Sequence, residues 1–138
     1  MDLTGEYIER MITRLKSSTR LEGLEVKHSY DESVCAYPVD TPVVSVGRDS
    51  SERVTMLLGG DGSLHFCAML VSVTADERRG AAFCETCAAS VCRAVLEEDD
   101  NRYITSVRVE RAVYDKSCFA YKVMMSFGLR EWLCEAGQ

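Results

Sequence analysis

The sequence predicts a single α+β domain over residues 1–138. Its mainly antiparallel sheet, built with long hairpins, packs against an N-terminal helix and a long central helix. Three observations carry this reading. Apolar residues recur at helical spacing near the N-terminus and again around residues 84–95. The last third of the chain alternates apolar and polar residues on both sides of a short turn, as an antiparallel hairpin does. The 138 residues are 46% hydrophobic, enough for one buried core, and no linker, repeat or low-complexity tract divides them.

Leu3, Tyr7, Ile8, Met11, Ile12 and Leu15 fall on one face of a helix that Asp2 or Thr4 caps and Ser17-Ser18-Thr19 ends. Leu24 to Tyr30 reads as a short extended segment, followed by a polar loop at Asp31-Glu32-Ser33. Pro38 and Pro42 exclude a helix from the next stretch, because proline fixes φ and restricts the residue before it. Val43, Val44 and Val46 form a strand that stops at Gly47. Arg53 to Leu58 is the next strand, and Gly59-Gly60-Asp61-Gly62 is a flexible turn leading to a strand from Leu64 to Thr74. That strand is apolar on both parities, with Leu64, Phe66, Ala68 and Leu70 against Cys67, Met69, Val71 and Val73. Such a strand is central or lies in a subunit interface.

Thr74-Ala75-Asp76-Glu77 reads as the start of the long helix, where acidic residues meet the positive end of the dipole. The acidic run from Glu97 to Asn101 is unfavourable at the other end, so the helix is expected to stop near Leu96. Tyr103 to Val113 then alternates, with Val107, Val109 and Val113 on one parity. Tyr114-Asp115-Lys116-Ser117 is the turn, and Phe119, Tyr121, Val123, Met125, Phe127 and Leu129 share one face of the returning strand. That face is expected to meet the long helix at Cys84, Ala88 and Val91.

The chemical signals are thin. Seven cysteines include the run Cys84-x2-Cys87-x4-Cys92, which tempts a metal or redox assignment. On a helix at about 100° per residue, Cys87 and Cys92 lie roughly 140° apart around the axis and do not share a metal. The only histidines, His28 and His65, stand apart without a ligand-spaced partner. A thioredoxin-like centre places CxxC at a helix N-terminus, whereas this pair sits about two turns inside. The run therefore reads as a small-residue helix face, with reduced thiols acting as small hydrophobes. No GxSxG elbow or P-loop is present, and the acidic run lacks the ligand order of a calcium loop. No cofactor, no metal and no catalysis are expected.

The net charge is −6, and most basic residues have acidic neighbours, as in Glu9-Arg10, Glu77-Arg78 and Glu110-Arg111. That pattern argues against a phosphate track, so nucleic-acid recognition is not expected. No apolar run approaches the roughly 18 residues that span a bilayer, and the N-terminus does not read as a signal peptide, so no membrane partner is expected.

The order of elements, with Tyr37-Pro38, Val43-Val44-Ser45-Val46 and the closing hairpin from Val107 to Leu129, resembles the small tail-terminator proteins. These are tail-completion (head–tail joining) proteins of long-tailed phages and prophages. The resemblance covers nearly the whole chain, and no single position is matched to a family residue. It implies a structural virion assembly protein, present in the virion tail and in the bacterial cytoplasm during assembly. It also implies a ring, usually of six subunits, that caps the tail tube and ends its polymerisation. The partners implied are other copies of itself, the tail tube protein and the head-completion or connector protein.

The residues themselves place a subunit interface on the doubly apolar hairpin, at Val54, Met56, Leu58, Leu64 and Phe66, with Glu52 and Arg53 at the rim. Two readings compete with a structural role: a small α+β binding or adaptor module, and a thiol redox protein using Cys84 and Cys87.

Overall fold

The computed structural model describes residues 3–28, 41–48, 54–57 and 63–130. The chain forms α1 (Leu3–Lys16), a 3-10 turn (Thr19–Leu21), β1 (Glu25–His28), β2 (Val43–Arg48), β3 (Val54–Leu57) and β4 (Ser63–Phe66). It continues with β5 (Ala68–Asp76), α2 (Gly80–Asp99), β6 (Ile104–Val109), β7 (Val113–Asp115) and β8 (Ala120–Leu129). Six strands make one sheet in the order β1-β2-β5-β8-β6, with β7 also on β8, while β3 and β4 pair as a separate hairpin. Only β1 and β2 run parallel among the described pairs. This is the α+β architecture that the periodicities predict.

Register decides which side chains make the core. Val44 lies opposite Val73 and Val46 opposite Val71. Val71 in turn faces Met125, Val73 faces Val123, and Met69 faces Phe127. Directly opposed residues share a face of the sheet, so these residues form one apolar surface, each at most 1% exposed. Both helices cover that face. α1 presents Tyr7, Ile8, Met11, Ile12 and Leu15, all buried as their spacing predicts. α2 presents Cys84, Ala88, Val91 and Val95. The small side chains bring α2 close to the sheet, close enough for the Cys84 thiol to donate toward the carbonyls of Val73 and Tyr121 at 3.4 Å.

Four expectations are corrected. The predicted strand from Leu64 to Thr74 is two strands that meet at Cys67, in different sheets. Its second half, β5, is central, between β2 and β8. The long helix begins at Gly80 and not at Thr74. Thr74, Ala75 and Asp76 are held in the ladder opposite Lys122, Tyr121 and Ala120, which outweighs their favourable helix-start chemistry. A tight turn follows, in which Arg79 pairs with the Asp76 carboxylate at 3.3 Å and Gly80 takes φ +85°, open to glycine at little cost.

The helix also outruns its predicted end and reaches Asp99. There the chain leaves through left-handed Asp100 and Asn101, at φ 51° and 58°, a conformation that the short polar side chains of Asp and Asn accept. Finally, Phe119 does not join the buried face of β8. It sits in the turn at φ 51° and is 48% exposed, and the fully buried alternation on β8 runs from Val123 to Leu129.

Candidate assembly surface

The sheet ends on β6, and its last strand is not covered as the others are. Val107 and Val109 pair with Phe127 and Met125 and so lie on the helix-facing side. Phe127 and Met125 are buried there, yet Val107 is 39% and Val109 52% exposed. α2 packs over β5 and β8, and the strand beyond them protrudes past its shelter. Val113 on β7 is more exposed still, at 64%, but it lies opposite Lys122 and so on the other face of the sheet. The corner between β6 and β7 is tied all the same to α2 and to the turn before it. The Ala112 N–H donates to the Glu85 carboxylate at 3.1 Å, and the Tyr114 hydroxyl donates to Glu77 at 2.7 Å. That bond, made by the neutral phenol to a carboxylate, pushes the Tyr114 pKa up to about 12.

Sequence reasoning placed the interface elsewhere. Of its residues, Glu52, Arg53 and Leu58 lie outside the described residues. Val54 and Met56 fall on β3, Leu64 and Phe66 on β4, in the register Val54 opposite Phe66 and Met56 opposite Leu64. The four apolar positions are thus brought together in pairs on a hairpin separate from the main sheet. The surface on β6 was missed because Val107 and Val109 alternate as core residues do. Alternation reports that a strand has two faces, and cannot report that the helix layer ends one strand short.

The thiols are arranged for packing. Cys84 and Cys87 are buried and Cys92 is half-buried, and all three are free. Burial raises the pKa of each, that of Cys84 to about 11. A nucleophilic or redox cysteine needs the opposite shift, because the thiolate is the reactive form. Among the described residues, no group of three His, Cys, Asp or Glu side chains is placed to hold a metal ion. One cysteine outside that run is linked. Cys67 is disulfide-bonded, and its partner lies outside the described residues. Cys67 is half-buried between β4 and β5, and its own carbonyl accepts the Leu129 N–H.

Asp99 is another functional-looking residue with a structural explanation. A carboxylate 3% exposed at the negative end of a helix is costly unless it is hydrogen-bonded. Asp99 accepts from the Tyr7 hydroxyl at 2.7 Å and from the backbone N–H groups of Tyr103 and Ile104 at 3.1–3.2 Å. Desolvation and the neighbouring carboxylate raise the Tyr7 pKa, so the phenol remains a donor. A shallow recess beside Arg10, Arg14 and Arg102 opens at this junction. Arg14 is turned to the Glu98 carbonyl there, at 3.1 Å. The cluster locks the first helix to the exit of the second.

No protein-family model matches the chain, and no curated protein matches it. Among solved structures, it is similar to a chain of the virion of a native gene transfer agent particle, with a TM-score of 0.52. The alignment covers 87% of this chain and 90% of that one, at 15% identity. The likeness is one of fold. No helix among the described residues is long and apolar enough to cross a membrane.

Proposed function

We propose that this chain is a structural protein of a virion, and within that class a tail terminator. In that role it forms a ring that caps the tail tube, ends its polymerisation and meets the head connector. It acts by assembly, with no catalytic step. The observation that carries the reading is the fold shared over nearly the full length of both chains with a virion component. The order of helix, strands, long helix and closing hairpin agrees with it, and the raised thiol pKa values argue against the redox alternative. The ring contact in this reading lies on the β3–β4 hairpin, at Val54, Met56, Leu58, Leu64 and Phe66, with Glu52 and Arg53 at its rim.

Deletion of the gene from its phage or prophage, followed by electron microscopy of the particles released on induction, tests the role. Tails of uncontrolled length without attached heads are expected. The wild-type gene supplied in trans restores joined particles, while Met56→Glu, which puts a charge into the proposed contact, does not. Tails of normal length in the deletion strain overturn the terminator assignment.

A further inference from the structure

We infer that β6 is a self-complementary edge that takes β6 of a second copy of this chain, antiparallel and centred on Val109. The inference does not depend on the virion reading. It begins with the backbone. The Glu110 N–H donates to the Met124 carbonyl at 2.9 Å. In an antiparallel ladder, residues that exchange bonds with the neighbour alternate with residues that do not. Glu110 and Arg108 therefore turn their amides inward to β8. Val107 and Val109 turn theirs outward, to the side where no described strand lies. The register shift between Ile104 and Ser106 distorts only the start of the strand. From Ser106 to Glu110 the edge is regular, and no proline or lysine blunts it.

The side chains then choose the partner and the register. Joining two copies about a two-fold axis keeps each face of the sheet continuous only if the axis passes through a residue position. Centred on Arg108, the outward amides of Val107 and Val109 would also pair, but like charges would meet at the axis. Centred on Val107, Arg108 would face Ser106. Centred on Val109, the outward amide of each Val109 exchanges two hydrogen bonds with its copy. Each Arg108 then lies opposite the Glu110 of the other chain, so two opposite-charge pairs form at once. The same pairing covers the exposed Val109 side chains with each other. The triplet Arg108-Val109-Glu110 is its own complement, which is why the geometry points to a second copy and not to an unrelated strand.

Sedimentation equilibrium of the purified chain, its Val109→Pro variant and three charge variants tests the inference. The wild type should dimerise. Arg108→Glu and Glu110→Arg each set like charges opposite one another twice and should weaken the dimer by at least about tenfold. The double exchange recreates the complement and should return affinity to within about threefold of wild type. Val109→Pro removes an N–H that faces solvent in the monomer, a substitution edge strands tolerate, so it should remain folded by circular dichroism and be monomeric. A wild type monomeric at its highest soluble concentration overturns the inference. So does a double exchange as weak as the single ones, or an oligomer that the single exchanges and Val109→Pro leave intact.

Discussion

Asp99 is a carboxylate in a place where charge and burial both oppose it, and three donors make that place tolerable. Replacing it by alanine leaves the Tyr7 hydroxyl and two backbone N–H groups without an acceptor in a largely dry junction. Unsatisfied buried donors cost about 1–3 kcal/mol each, with partial relief from water. Asp99→Ala should therefore lower stability by about 3 kcal/mol in urea unfolding. Tyr7→Phe removes one donor, leaves the two backbone bonds in place, and should cost about 1 kcal/mol. Equal effects from the two variants would show that the backbone bonds contribute nothing. From the sequence, Asp99 is indistinguishable from Glu97, Glu98 or Asp100. Only the turn that brings Tyr103 and Ile104 back over it picks it out.

At the scale of elements, α2 and β8 hold the molecule together. The α2 stripe of Cys84, Ala88, Val91 and Val95 meets Val123, Met125 and Phe127 with almost no exposed area. Val91→Asp would place a carboxylate at a site 0% exposed, with only apolar core around it. An unpartnered buried carboxylate costs several kcal/mol or protonates with a strongly raised pKa. The variant should melt far below the wild type at pH 7 and regain part of the difference as pH falls toward 5. A melting temperature unchanged at pH 7 would mean that the core face of the helix is not the one described. The helix itself was legible because its 3.6-residue period survives whatever surrounds it. Its ends were not, because both are set by the ladder and by the turn that follows.

At the scale of the whole molecule, one covalent link alters the account of the cysteines. Cys67 is disulfide-bonded, while Cys84, Cys87, Cys92 and Cys118 carry free thiols among the described residues. Titration of the denatured, unreduced protein should count fewer than seven thiols, and seven after reduction. Seven in both cases would remove the link. The helix thiols stay in the free set either way, since Cys84, Cys87 and Cys92 share one helix and are each unlinked.

The sequence by itself determined the class of the molecule and most of its interior. Period 3.6 in residues 3–15 and 84–95 and period 2 in residues 121–129 are local properties, and the faces that Leu15, Val91 and Phe127 share with their neighbours follow from them directly. Whether an apolar position is covered is a different matter. Val71 and Val109 read alike in their strands, yet one has a helix above it and the other lies on the last strand of the sheet. Strand order placed β5 at the centre and β6 at the edge, and order is set by which strands pair across long stretches of chain. The candidate surface therefore appeared only with the tertiary structure, because coverage depends on distant elements and periodicity does not.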